Sequence, residues 1–595
     1  MEKISPIFGE SISTEKIKRR GNWDEPESPR VARIYLIPLL LAIVVFLVLS
    51  RLFYLQIIKG QYYRNLSEQN RIKTIVIHAP RGIIFDRNGK PLVYNVPGFR
   101  QVVGGQTKLI GQEEAIELIA SGTKNLEIDS LRQYPYKDSL AHVLGYVGQV
   151  SSEELKTAEF ANYKAGDVVG KTGIEREYEG FLKGEDGKQL AETDSSGKVV
   201  RKLGETDAAA GRNITLTIDS DLQKRAYRAM EKVEKGALIV STPRGEILAL
   251  VSKPSFDPNL FTLGKDYKIS ASSTYKNVSE ILLDTTRQPF LNRAVSGRYP
   301  PGSTFKLITA AAGLQNGIID TSYKVVDTGI VRVGQFSFAN WYYTNYGGKD
   351  GDVDVIKGIK RSNDIFFYKL AEKIGNEELS EMARKFGVDK LLGIDVMGEE
   401  EGLVPTDEWK RKVIGERWFL GDTYHFGIGQ GYILATPIAV NSWAQTIASG
   451  GTLYRPFILK DLGHKKLNDK FLDSATINPI RQGMIESCAP GGVAWPLFEF
   501  RVKNEKLKID GKNFLEAPLA TTSSSFKDYR KVSIACKTGT AQHGGENTMP
   551  HAWITLFAPA YDPQIVITVL AEESGEGSNV AAPIAKEILT EWFSR

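Results

Sequence analysis

Tyr299-Pro300-Pro301-Gly302-Ser303-Thr304-Phe305-Lys306 runs directly into Leu307-Ile308-Thr309-Ala310-Ala311-Ala312. Two prolines and a glycine end whatever precedes them, and the apolar run after them reads as a buried helix beginning at Ser303. Residues three apart share a helix face, which puts Ser303 and Lys306 within reach of each other. A serine hydroxyl is a weak nucleophile at its own pKa and needs a base, which a desolvated lysine amine can supply. The positive end of the helix also favours developing negative charge. Ser-x-x-Lys recurs at Ser13/Lys16, Ser121/Lys124 and Ser195/Lys198, each in polar or loop-like sequence, so the spacing alone decides nothing.

On the N-terminal side of this stretch, Ile214-Thr-Leu-Thr-Ile leads into a helix capped by Asp219 or Ser220. Ala237 to Ser241 and Glu246 to Ser252 then read as a strand hairpin. On the C-terminal side, helical periodicity dominates to about Ile447. Strands return at Val532 to Cys536, Ala552 to Phe557 and Ile565 to Ala571, ahead of a last helix from Ala582. Helices set within a mainly antiparallel sheet make this part an α+β domain, an antiparallel sheet flanked by helices. Gly60 to Arg212 alternates short β-branched stretches with turn signals such as Asp86-Arg-Asn-Gly and Gly184-Glu-Asp-Gly, and reads as a strand-rich, elongated module ending near Arg212.

Ile34 to Leu49 is apolar and uncharged and continues past Arg51 into Leu52 to Ile58, enough helix to cross a bilayer. A cleaved signal peptide is the alternative, with Val48-Leu49-Ser50 as its cleavage triplet. The run exceeds the usual signal length and lacks an Ala-x-Ala end, which favours an uncleaved anchor. Lys16, Lys18, Arg19, Arg20, Arg30 and Arg33 precede the span, against Arg51, Lys59 and Arg64 after it. That balance keeps the N-terminus inside and exports the rest. The resulting partition is 1–33 as a cytoplasmic tail, 34–58 as a transmembrane anchor helix, 59–212 as a membrane-proximal module and 213–595 as the domain carrying Ser303.

The net charge of +5, from 76 basic and 71 acidic residues, is too small and too mixed for a nucleic-acid partner. Cys488 and Cys536 form no CxxC pair and the six histidines have no HExxH spacing, so no disulfide framework, metal site or cofactor is expected. The redox state of the two cysteines stays open at this level.

Two more short patterns give Ser303 and Lys306 their context. Ser362-Asn363-Asp364 precedes the apolar Ile365-Phe366-Phe367-Tyr368, and Lys537-Thr538-Gly539-Thr540 closes a β-branched stretch. Singly they read as a helix cap and a strand ending in a turn. Together, in this order, they match the motif set of penicillin-binding proteins and class A β-lactamases. Longer stretches extend the likeness: Ala79-Pro-Arg-Gly-Ile-Ile-Phe-Asp-Arg-Asn-Gly, Ala141-His-Val-Leu-Gly-Tyr-Val-Gly, Pro254-Ser-Phe-Asp-Pro-Asn and Gly427-Ile-Gly-Gln-Gly. The chain resembles the class B penicillin-binding proteins over nearly its whole length, and most closely the penicillin-binding protein 2 group of the elongation machinery.

The resemblance implies a pedestal, of the dimerisation type, that holds a transpeptidase domain away from the cytoplasmic membrane on its external side. It implies a peptidoglycan stem peptide ending in D-Ala-D-Ala as substrate, covalent inhibition by β-lactams, and a SEDS-family glycan polymerase as partner. Ser303 would attack the penultimate carbonyl, Lys306 would take its proton, and Ser362 with Lys537 would pass a proton to the departing D-alanine. The backbone N–H groups of Ser303 and Thr540 would form the oxyanion hole. Thr538 and Thr540, with Lys537, would hold the terminal carboxylate, and Gly539 would let substrate backbone lie against the strand. Asp364 stands where most relatives carry an asparagine that faces substrate. Trp495 to Arg530 reads as an insertion beside the cleft, and His425 as an ordinary packed or surface histidine. A division-type relative, a D,D-carboxypeptidase and a β-lactam-binding scaffold or sensor are the competing readings.

Overall fold

The computed structural model describes residues 31–103, 106–123, 126–194, 199–264, 267–271, 273–503, 529–545 and 548–595. The basic residues ahead of Val31 and most of Trp495 to Arg530, on which two of the expectations above rest, lie outside the described residues. The chain divides into two compact units: residues up to Ile75 with Gln189–Glu205, and Val76–Lys188 with Thr206–Arg595.

In the first unit the helix Val31–Phe53 passes through a π-helical turn, Tyr54–Ile58, into the helix Gly60–Arg71. Leu36–Ile58, 23 residues of apolar helix, rises about 34 Å at 1.5 Å per residue and so exceeds the ~30 Å hydrocarbon core of a bilayer. Its leucine, isoleucine and valine side chains are exposed, apart from the half-buried Leu55. The helix is therefore long and apolar enough to cross a membrane. A three-stranded sheet completes the unit, with Gly187–Thr193 between Ile72–Ile77 and Val199–Thr206.

The second unit begins with a sheet built on the long strand Pro91–Val103, which pairs antiparallel with Leu126–Gln133, Gln106–Ile110 and Ile84–Phe85. Ile214–Thr215 then joins it in parallel, Ile214 opposite Ile84. The Ala79-Pro80-Arg81-Gly82 stretch has a physical task here. Arg81 and Arg132 enclose the fully buried Glu175 carboxylate, with Arg132 Nε 2.7 Å from Oε1 and Arg81 Nη2 2.8 Å from Oε2. Arg81 also meets Glu179, and Arg132 donates to the Gly82 carbonyl. A buried carboxylate is tolerable when each lone pair is met in this way.

The domain that carries Ser303 is built on a five-stranded antiparallel sheet in the order Ile247–Lys253, Gly236–Ser241, Ile565–Ala571, His551–Ala558, Ala535–Ala541. Side chains alternate between its faces. Trp553, Phe557, Val566 and Leu570 face the core of helices Lys306–Gln315, Asp364–Ile374 and Pro437–Ala448. Ala552, Ile554, Leu556, Ile567 and Val569 face the helices Ser220–Ala229 and Ala581–Phe593. Both faces are covered, which is why these strands read as near-continuous apolar runs. Asp219 is the cap of the first of those helices, its side chain accepting from Leu222 N.

Two local expectations are corrected. Ser303 lies in a short 3-10 turn, Gly302–Phe305, and the α-helix itself starts at Lys306. The last motif lies inside its strand instead of ending it: pairing runs from Ala535 opposite Phe557 to Ala541 opposite His551. That register is imposed by the neighbouring strand, since glycine and alanine have little strand preference of their own. Cys488 and Cys536 form a disulfide with their Cα atoms 5.9 Å apart.

Candidate active site

The turn that presents Ser303 is fixed before the helix begins. Tyr299 exchanges backbone hydrogen bonds with Ala435, and Gly302 N donates to the Gly429 carbonyl at 2.8 Å. Gly302 has φ +53°, and a Cβ there would come within 2.8 Å of the Thr540 carbonyl oxygen. No other residue satisfies both conditions. The serine turn and the Thr540 end of the edge strand are therefore in direct backbone contact.

Ser303 is half-buried on the rim of a cleft of about 510 Å³, which Ser362, Asp364, Thr538, Gly539 and Thr540 also line. Lys306 and Lys537 lie beneath, both wholly buried. Their amines converge on one hydroxyl: Ser362 Oγ is 2.8 Å from Lys537 Nζ and 3.4 Å from Lys306 Nζ. Lys306 Nζ also donates to the Ser362 carbonyl at 2.7 Å and to Asp364 Oδ1 at 2.6 Å. Lys537 Nζ donates to the Thr538 carbonyl at 2.9 Å. The structure thus brings all the residues picked from the three motifs to one place.

Burial pushes the Lys306 ammonium below its ordinary pKa, against the opposing pull of the Asp364 carboxylate. Lys537 is pushed well down, first by burial and then by the neighbouring Lys306. Burial favours the neutral amine, and two ammonium ions facing one hydroxyl repel. Lys306 Nζ thus has three oxygen neighbours, Asp364 Oδ1, the Ser362 carbonyl and Ser362 Oγ.

Asp364 is placed differently from the substrate-facing asparagine expected by analogy. Oδ1 meets Lys306 and Oδ2 accepts the Trp341 N–H at 2.9 Å, so both oxygens are engaged inside the protein. Gly539 is also packed closely by the protein itself. A Cβ there would lie 3.1 Å from the Pro301 carbonyl, Thr304 and Trp553, so glycine permits the serine turn to sit on the strand. His425 lines the cleft, 5.4 Å ring to ring from Phe338, with its pKa lowered by burial.

Sequence reasoning missed the polar cluster that holds the second motif. Ser362 is a non-glycine residue at φ +54°, between the helices Val355–Arg361 and Asp364–Ile374. Such a conformation persists only when its surroundings enforce it. Asn363 Oδ1 accepts from Phe366 N, while its amide donates to Asp327 Oδ2 and Asp350 Oδ2 at 2.9 and 3.0 Å. Asn340 links Asp327 to the Asp364 N–H. These partners come from distant loops, and only the helix-cap reading of the second motif hinted at any of them. Trp341, Tyr368, Gln430, Val493 and Glu576 are among the other residues of the cleft wall. Among the described residues no group of His, Cys, Asp and Glu is arranged to hold a metal ion.

Residues 236–590 match the family model described as the penicillin binding protein transpeptidase domain, and residues 112–216 match the penicillin-binding protein dimerisation domain. The peptidoglycan D,D-transpeptidase MrdA of Acinetobacter baumannii is 30% identical over 93% of this chain and 86% of its own length. The complex of penicillin-binding protein 2 and MreC from Helicobacter pylori contains a chain of 27% identity, superposing with a TM-score of 0.71 over 88% of this chain and 98% of that one. A structure titled for the coordination of polymerization and crosslinking by a peptidoglycan synthase complex gives 26% identity and a TM-score of 0.68 over 94% of this chain and 98% of that one. The family model alone covers more than half of the sequence, and the chain belongs to the class B penicillin-binding proteins, in the penicillin-binding protein 2 group.

Proposed function

We propose that the chain is a peptidoglycan D,D-transpeptidase that cross-links stem peptides through an acyl-enzyme on Ser303. The observation that carries this reading is the convergence of two buried, pKa-lowered lysines on Ser362 at the base of the cleft that Ser303 borders. The Ser303 oxygen attacks the penultimate carbonyl of a stem peptide ending in D-Ala-D-Ala, and the Lys306 lone pair takes its proton. Asp364 holds one Lys306 N–H and steadies the ammonium that forms. The backbone N–H groups of Ser303 and Thr540, adjacent through the Gly302 contact, receive the oxyanion. Each such donor commonly contributes about 3 kcal/mol to the barrier reduction.

Thr538 and Thr540 hydroxyls, with Lys537 behind them, hold the terminal carboxylate. Ser362, bridging the two lysines, passes a proton to the departing D-alanine nitrogen. An amine from a neighbouring stem peptide then attacks the acyl-enzyme, forming the cross-link and freeing Ser303. A β-lactam enters the same sequence and stops at the acyl-enzyme.

The helix Leu36–Ile58 supports a single-pass anchor in the cytoplasmic membrane, with 1–33 inside, 59–212 as pedestal and 213–595 as the transpeptidase domain on the external face. The relatives solved with MreC and in a peptidoglycan synthase complex support a role in a larger assembly, and the family resemblance implies a SEDS-family glycan polymerase as a member of it. The deciding assay is D-alanine release from a stem pentapeptide with and without an amine acceptor. A cross-linked dimer formed with the acceptor supports the proposal. Release that goes only to hydrolysis, whatever the acceptor concentration, makes the enzyme a carboxypeptidase.

A further inference from the structure

We propose that the Cys488–Cys536 disulfide is a positioning element of the active site, fixing the separation of Lys537 from Ser362; this rests on the transpeptidase reading above. Among the described residues the edge strand Ala535–Ala541 has a sheet neighbour on one side only. Cys536 immediately precedes Lys537 on it, so the bond acts one residue from the amine that meets Ser362 Oγ. Cys488 is the C-cap of the helix Ser474–Ser487.

That helix is locked to the element bearing Ser362. A Cβ on Gly483 would lie 2.7 Å from Ile359 Cβ, so glycine lets the helices Ser474–Ser487 and Val355–Arg361 approach closely. Lys360 Nζ pairs with Glu486 Oε2 at 3.1 Å, and Arg361 Nη1 donates to the Gly491 carbonyl at 3.1 Å. The loop that follows brings Val493 to the cleft wall. The connections form a closed ring: Lys537, Cys536, Cys488, the end of its helix, Lys360 and Arg361, Ser362, and back to Lys537 through the 2.8 Å hydrogen bond. Apart from the chain itself, the disulfide is the covalent link in that ring. The Lys360–Glu486 pair is partly exposed, and such pairs hold geometry weakly.

Forming the bond joins two thiol sulfurs and releases two protons and two electrons. A dithiol reductant reverses it, returning both thiols and closing its own disulfide. Both residues are buried, but Cys488 borders a cavity of about 230 Å³ with Leu497, Phe500 and Tyr561, which admits a small dithiol. Misplacing a catalytic group by about 1 Å can cost on the order of 100-fold in rate.

The test uses the full chain in detergent micelles and the second-order rate of acylation by fluorescent penicillin, alongside the thermal midpoint. Oxidised wild type, dithiol-reduced wild type, the Cys488→Ser/Cys536→Ser double variant and a Cys488→Ala/Cys536→Val double variant are compared well below their midpoints. The expected result is acylation at least ~10-fold slower without the bond, still on Ser303, and recovery when the reduced wild type is reoxidised. Should a double variant fail to fold, the reduced wild type, checked by circular dichroism, gives the same readout. Equal acylation rates with only a lower midpoint would overturn the proposal, as would free thiols on both cysteines in the protein as isolated. Oxidised wild type that takes no penicillin would overturn the transpeptidase reading as well, a result distinct from equal labelling of both redox forms.

Discussion

Asp364→Asn removes the charge beside Lys306 while keeping the shape of the side chain. The two groups are 2.6 Å apart, Lys306 wholly buried and the Asp364 side chain 11% exposed. Burial lowers the Lys306 pKa and Asp364 raises it, so the variant leaves only the lowering influence. Unit charges 4 Å apart at an effective dielectric of about 20 interact by roughly 4 kcal/mol. The variant therefore lowers the Lys306 pKa further. The base must be neutral to accept the Ser303 proton, so the acid limb of the acylation rate should move to lower pH. The assay is stopped-flow acylation by fluorescent penicillin between about pH 4.5 and 9. An acid limb that stays in place, or moves up, refutes Lys306 as the base or Asp364 as its counter-ion.

Lys537→Met should abolish acylation and stabilise the fold by about 1 to 2 kcal/mol, read from chemical denaturation near neutral pH. In the wild type the folded Lys537 loses its proton well below the unfolded value of 10.5. Protons therefore favour the unfolded state, and this deficit shrinks as pH rises towards 10.5. Gly302→Ala, at positive φ and against the Thr540 carbonyl, should cost roughly 1 to 3 kcal/mol and slow acylation more than ten-fold, because the serine turn must lift off the strand. Glu175→Gln leaves Arg81 and Arg132 without their shared carboxylate and should destabilise by about 3 to 5 kcal/mol, while the acylation rate of the folded protein is unchanged.

What the sequence discloses tracks how local the cause is. Ser303 and Lys306 are legible because one turn of chain relates them, and the α+β sheet is legible because each strand is buried on both faces and reads as an apolar run. The Lys537–Thr540 segment is legible as a motif, but its place inside the strand is set by pairing with His551–Ala558, which no local pattern encodes. Asp327, Asn340 and Asp350 carry no signature: Asp327 and Asp350 meet Asn363 from 36 and 13 positions away, and Asn340 meets the Asp364 N–H from 24 positions away. The same holds for Cys488 and Cys536, whose spacing of 48 fits no known pattern until the edge strand and the helix end are folded together. Asp364 could be named from its neighbours, whereas its partner depended on where Lys306 turns beneath the cleft.

The most direct test of the central claim is tryptic mass spectrometry of the full chain after reaction with penicillin. The account predicts a single penicilloyl adduct on Ser303, absent from a folded Ser303→Ala variant. An adduct on any other residue, or labelling that survives in that variant, would contradict it.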